Sequence, residues 1–229
     1  MKTFKILGLL LSYPKQELID NLSAIEKILA EEAILPKRDL KKVTTFLNHL
    51  KTSDLYELQE EYVSLFDRGR AHCLHMFEHI HGESRDRGQA MVNLIESYAE
   101  RGFYMKEGEL PDFLPLFLEY LSSCPVEEAL DLISDPINVI VTIAIRLKKR
   151  QSHYHILFDA IVALSKVKPD SAVVAQAKAA ELQEQTLEEL DEEWVEAEAF
   201  DNSSDCGTCD PSIIPTDIKD PTRTNRGAQ

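Results

Sequence analysis

FEHIHGESRDRGQAM, running from Phe77 to Met91, is where two helical patterns meet, and its reading sets the fold class. Before it, Cys73, Met76, Phe77 and Ile80 recur at helical spacing, with His72, His75 and His79 on a neighbouring stripe. Gly82 interrupts the pattern. Asp86 followed three positions on by Gln89 has the form of a capping box, which starts a second helix at about Arg87. That helix carries Met91, Leu94, Ile95 and Tyr98 at i, i+3, i+4 and i+7, and Arg101-Gly102 supplies a cation and a terminating glycine. The intervening loop holds Glu83, Arg85, Asp86 and Arg87.

The same periodicity extends in both directions. Phe4, Leu7 and Leu11 mark a helix stopped by Pro14, and Leu18, Leu22, Ile25 and Leu29 mark a second that ends before Pro36. Leu40, Val43, Leu47 and Leu50 give a third. Ser53 reads as the N-cap of a fourth, with Leu55, Leu58, Tyr62, Leu65 and Phe66 on one face. Further on, Pro111 reads as the first residue of a helix presenting Leu114, Phe117, Leu118 and Leu121, and Pro125 as the start of a brief one. Ile137 to Ile145 is β-branched enough for a strand. Asp135-Pro136 is nevertheless a helix start, and Ile137, Ile140, Val141 and Ala144 keep helical spacing, so a buried helix is expected. Tyr154, Leu157, Phe158 and Ile161 mark another, and Pro169-Asp170 closes the last strongly periodic segment. The expected fold is all-α, a single-domain bundle of about nine to eleven helices over residues 1–180. Only eight glycines among 229 residues agree with helices over a turn-rich β architecture.

Beyond that domain, residues 181–201 contain ten acidic side chains and no Lys or Arg, and are expected to be only marginally helical because like charges repel. Residues 202–229 mix Ser, Thr, Asp, Pro and Gly, the composition of a disordered tail. Cys206 and Cys209 within it lack the second ligand pair of a zinc site, so they read as tail thiols. The formal net charge of −15 argues against nucleic acid and for basic partners. The apolar run near Met1 is too short for a secretory signal, and no segment approaches the ~20 apolar residues of a membrane span. A cytoplasmic protein with no direct membrane insertion is expected.

Two clusters carry possible chemistry. His72, His75, His79 and His81 bring imidazoles together, and a helical metal or cofactor carrier is the alternative reading they allow, although three or four converging ligands are needed. The charged group Asp67, Arg68, Arg70, Glu83, Arg85, Asp86 and Arg87 reads either as interhelical ion pairs or as a recognition surface, because guanidinium forks suit carboxylates. No phosphate-binding loop, dinucleotide fingerprint, nucleophile elbow or HExxH is present, so no enzyme activity is expected. An acidic helical domain is physically suited to take a basic amphipathic helix into an apolar groove.

FDRGR at Phe66 to Arg70, FEHIHGESRDRGQAM and LPDFLPLFLEYL at Leu110 to Leu121 together closely resemble the NarJ family of nitrate reductase assembly chaperones, related to the TorD and DmsD maturation chaperones. LLLSYP at Leu9 to Pro14 is similar to the family's opening; a histidine is usual in relatives where this chain has Phe113. The resemblance implies a chaperone that binds the N-terminal segment of the nitrate reductase catalytic (alpha) subunit and assists insertion of the molybdenum cofactor before membrane docking. It also implies contact with molybdenum cofactor biosynthesis proteins. The cofactor, molybdopterin guanine dinucleotide, would belong to the client, with none bound stably here. On the matched blocks, Arg68, Arg70, Phe77, His79, His81, Glu83, Arg85, Asp86, Arg87 and Gln89 would form a polar rim. Tyr62, Phe66, Leu114, Phe117 and Tyr120 would give apolar groove surface, and Asp112 and Glu119 would meet basic residues of the partner. Asp112→Lys or Glu119→Lys would then weaken peptide binding while sparing the fold.

Overall fold

Phe4, Leu7, Leu10 and Leu11 are all buried because helix α1 (Lys2–Leu10) lies along α8 (Leu114–Ser123), whose Leu114, Leu118 and Leu121 face it from the other side of the core. The N-terminus of α1 has no cap of its own. Glu32, the last residue of α3 (Leu22–Glu32), supplies one by accepting from the backbone N–H groups of Lys2 and Thr3 at 2.8 and 2.6 Å. The computed structural model describes residues 1–68, 70–81, 85–106 and 108–180, all within one unit. The expectations for residues 181–201 and 202–229, and for Glu83, lie outside the described residues.

Between α1 and α3 stands a separate short helix, α2 (Gln16–Asp20), so the single helix expected from Leu18 to Leu29 is two. Asn21 makes the break: its backbone leaves helical geometry and its side-chain amide donates to the Glu17 carbonyl at 2.7 Å. Next come α4 (Lys37–Thr52) and α5 (Leu55–Tyr62). The cap of α5 is Asp54, which accepts from the Tyr56 N–H at 2.8 Å, while Ser53, the residue expected in that role, closes α4 instead. Helix α5 passes directly into a π-helical turn, Val63–Asp67, and a 3₁₀ turn follows at Arg70–His72.

The stretch from Phe77 to Met91 runs out of α6 (Met76–His81) and into α7 (Arg85–Glu100). Helix α7 begins two residues earlier than the expected start, which places Asp86 inside its first turn, and Gln89 donates to Asn93 at 2.8 Å; the expected capping box is corrected accordingly. Helix α8 likewise starts at Leu114 and not at Pro111, with Pro115 in its first turn. The remaining helices are α9 (Val126–Leu132), α10 (Ile137–Lys149), α11 (His155–Leu164) and α12 (Ser171–Ala179). Helix α10 packs against α11 and α12, and α11 against α4. The β-branched run on α10 is helical, burying Ile137, Ile140 and Ile143. Twelve α-helices among the described residues exceed the expected nine to eleven. The extra ones come from the Asn21 break and from α12, which Asp170 caps by accepting from Ala172 N–H at 2.8 Å. The all-α class stands, and no described helix is long and apolar enough to cross a membrane.

Candidate binding furrow

Tyr62 and Phe66 lie either side of the point where α5 widens into its π-helical turn, which the Arg68 N–H closes onto the Val63 carbonyl at 3.2 Å. The wider turn puts both rings on the same side, with centroids 4.9 Å apart. The Tyr62 hydroxyl donates to the Leu11 carbonyl at 3.0 Å, which joins this turn to the end of α1, and Tyr13 meets the Tyr62 ring edge-on at 5.6 Å.

Opposite lies a short backbone bridge. His75 pairs antiparallel with Phe113, Leu114 N–H donates to Leu74 O at 2.9 Å, and Met76 N–H donates to Asp112 O at 3.0 Å. The Asp112 side chain, wholly buried, accepts from Phe77 N–H at 3.1 Å and lies 3.3 Å from His75 Nδ1. It is thus the cap of α6, supplied from the loop before α8, which is why Pro111 and Asp112 are not helical.

A cavity of about 460 Å³ opens between these two sides, lined by Tyr13, Tyr62, Phe66, Leu74, His75 and Phe113, with Lys15 and Asp67 at its edge. A second of about 140 Å³ shares Ser12 and Phe113 with it and continues along α1 past Leu9 and Gly8, under Leu116, with Lys5, Glu109 and Glu119 at the edge. Together they form one furrow, apolar along its floor and carrying Asp67, Glu109 and Glu119 as well as Lys5 and Lys15 on its rim. Glu119 pairs with Lys5 at 3.0 Å, but both side chains are about half exposed, so the pair is worth only ~0 to 1 kcal/mol and exchanges readily.

Of the residues named from sequence, Tyr62, Phe66 and Glu119 line this furrow. Leu114 and Phe117 are core, as is Tyr120, whose ring lies 4.4 Å from that of Tyr98. Asp112 has no exposed surface to offer a partner, which corrects the role expected for it. The others that are described, Glu83 not being among them, gather on α6, α7 and the turns before them. Phe77 meets the His81 ring edge-on at 5.5 Å, Arg87 pairs with Glu78 at 3.4 Å, and Arg68, Arg70, Arg85, Asp86 and Gln89 are exposed. Sequence reasoning missed Leu9 and Tyr13. Leu9 faces outward near the end of α1 and Tyr13 stands in the turn just beyond it; the run LGLLL is apolar on every face and hides the exposed one.

The histidines do not form a metal centre. His79 Nε2 bonds to the Cys73 carbonyl at 2.8 Å, and His75 is turned to Asp112. His72 is buried, with Nε2 unpartnered, and the neighbouring Arg150 and Arg146 guanidiniums oppose a further cation. No group of three metal-ligating side chains converges among the described residues, and the carrier reading is not supported. Burial first, then those guanidiniums and His79, push the His72 pKa down to about 4. The folded state therefore resists a proton that the unfolded chain takes up below about pH 6.5. Stability from this site is complete above that pH and is lost as pH falls toward 4. We expect about 2 kcal/mol to be lost between pH 6.5 and 5 in denaturant titrations, and His72→Gln to flatten that slope; an unchanged slope in the variant would remove His72 as its source.

The comparisons with known proteins agree on the relationship. The family described as nitrate reductase delta subunit matches residues 35–158. The nitrate reductase molybdenum cofactor assembly chaperone NarJ of Escherichia coli K12 is 40% identical over 203 residues, covering 88% of this chain and 86% of that protein. The probable assembly chaperone NarW of the same organism is 36% identical, covering 93% and 90%, and the probable NarJ of Bacillus subtilis is 32% identical, covering 70% and 86%. In fold, a crystal structure of a putative redox enzyme maturation protein from Archaeoglobus fulgidus aligns with TM-score 0.51 at 23% identity, over 69% of this chain and 88% of that one. With its helices, its three matched blocks and these relatives in agreement, the chain belongs to the nitrate reductase delta subunit family, alongside the NarJ-type assembly chaperones.

Proposed function

We propose that this protein is a system-specific chaperone that holds the N-terminal segment of the nitrate reductase catalytic (alpha) subunit in the furrow between α1, α8 and the π-helical turn. In this reading it assists molybdenum cofactor insertion and keeps the immature enzyme in the cytoplasm until it is ready for its membrane subunit. The observation that carries the reading is an apolar floor whose edge holds three carboxylates, Asp67, Glu109 and Glu119, against two lysines, Lys5 and Lys15, on a chain of net charge −15. The floor runs from Lys5 along α1 to its end at Leu10 and on through the following turn to Tyr13, so a bound amphipathic helix would lie along it. Apolar residues of such a peptide, at i, i+3 and i+4, would enter between Leu9, Tyr13 and Phe113 while its Lys and Arg meet the rim carboxylates. The field of the whole protein would steer it in, so association slows as salt rises.

No turnover is involved. A chaperone of this kind acts by binding the incomplete enzyme more tightly than the complete one, which shifts the population until cofactor and partners take over. Micromolar affinity, about 8 kcal/mol, is enough to hold the segment and still release it. Molybdopterin guanine dinucleotide is the client's cofactor, supplied with the help of molybdenum cofactor biosynthesis proteins. The test is maturation in cells that lack their own chaperone and receive this one. Leu9→Asp places a carboxylate on the furrow floor at an exposed position and is expected to lower both the activity and the molybdenum content of the reductase about tenfold, with the chaperone still folded. Full maturation with Leu9→Asp would exclude the furrow as the working surface.

A further inference from the structure

Helix α7 is sixteen residues long, yet Tyr98 is its one buried side chain, whereas α4, equally long, buries four. Met91, Leu94 and Tyr98 turn toward the protein. About 100° around the helix a second apolar line runs Gly88, Val92, Ile95, Ala99, at i, i+4, i+7 and i+11, and it faces water: Val92 is 46% exposed and Ile95 42%. Gly88 sits inside a helix, where glycine costs about 1 kcal/mol relative to alanine, and a Cβ there would meet nothing within 4 Å. Packing within the chain gives no reason for its small size. Close approach of another helix does.

We infer that this line joins two copies of the chain through an antiparallel pairing of α7 with α7, the two-fold axis passing between residues 93 and 94. That register sets Val92 against the partner's Ile95 and Gly88 against the partner's Ala99, so a small residue meets a small residue at each end. The charges decide the direction. One edge of the line carries Arg85, Gln89, Glu96 and Glu100, and neither Arg85 nor Glu100 has an ion-pair partner among the described residues. An antiparallel two-fold brings that edge against its own copy, placing Arg85 beside the partner's Glu100 twice over. A parallel two-fold carries that edge to the opposite side of the pair and leaves Arg85 and Glu100 at opposite ends, so it makes neither contact. A cationic client helix suits the two glutamates but not Arg85; a second copy satisfies all of them. One helix pair about 24 Å long buries less than the ~800 Å² per partner of a standard interface, so the dimer is concentration-dependent. No α7 residue lines the furrow, and the pairing is independent of the client reading.

Sedimentation velocity on the full chain, from micromolar to near-millimolar concentration, tests this. The weight-average coefficient is expected to climb toward the dimer value. Val92→Glu is expected to hold it at the monomer value without lowering the melting temperature, since the position is exposed. Glu100→Arg is expected to weaken association about tenfold, and Arg85→Glu combined with Glu100→Arg to restore it. A monomer at every concentration, or association indifferent to Val92→Glu, overturns the inference. A double variant no better than Glu100→Arg alone overturns the antiparallel register.

Discussion

Asp112→Ala is expected to destabilise the protein by about 3 kcal/mol, a drop in melting temperature of roughly 6 to 12 °C for a chain this size. Asp112 is wholly buried and its carboxyl is the acceptor for the Phe77 N–H at the start of α6, 3.1 Å away, with His75 Nδ1 beside it. Alanine strands that N–H away from water and leaves a void where two loops meet. Asparagine keeps one acceptor oxygen in place, so Asp112→Asn should cost about 1 kcal/mol. Asp112→Lys, which the sequence suggested would spare the fold, is expected instead to prevent it, because an ammonium would be forced into a site with no exposed surface. Denaturant unfolding of the three variants orders them Asn, Ala, Lys. Equal midpoints for Asp112→Ala and the parent would show that Asp112 does not cap α6.

Gly8→Val is expected to cost at least about 3 kcal/mol, against the usual gain from removing a glycine inside a helix. A Cβ at Gly8 would stand 2.8 Å from the Pro115 carbonyl oxygen and 3.4 Å from Leu118 Cβ. The obstacle is backbone and cannot rotate away. Either α1 lifts off α8, opening the core along Leu7 and Leu118, or Pro115 is displaced and the narrow end of the furrow deforms with it. Gly88→Ala is the contrasting case, because the space around it is empty; measured on dilute protein it should stabilise by about 0.5 to 1 kcal/mol. Two glycine substitutions of opposite sign in one protein separate close approach from helix propensity. A neutral Gly8→Val would mean that α1 and α8 are not held this tightly.

The helices were largely legible because long, strongly periodic segments report their own faces: Val43, Leu47 and Leu50 on α4, or Ile137 and Ile140 on α10, are buried as their spacing requires. Their ends were not legible. Asp86 with Gln89 has the residues of a capping box, but Gln89 turns to Asn93; Pro111 has the look of a first helical residue, but its loop is committed to the bridge between His75 and Phe113. Such commitments are made by partners distant in sequence, and local pattern contains no record of them. The same holds for the furrow. Phe66 and Glu119 fell within recognisable blocks and Tyr62 on the helix leading into one, while Leu9 and Tyr13, although inside LLLSYP, and His75 became furrow lining only when α1, the π-helical turn and the bridge were brought together. Asp112 shows the converse. A carboxylate in a matched block invites a partner-facing role, and burial reassigns it to the scaffold.

The central claim is that the furrow along α1 and α8 receives the catalytic subunit's N-terminal segment, apolar side chains down and cations toward the rim. Calorimetric titration of that peptide into the full chain, into Leu9→Asp and into Glu119→Lys measures this directly. The account predicts micromolar binding to the parent that weakens with salt, and a loss of about tenfold or more in each variant at unchanged melting temperature. Equal affinity for all three proteins would contradict it.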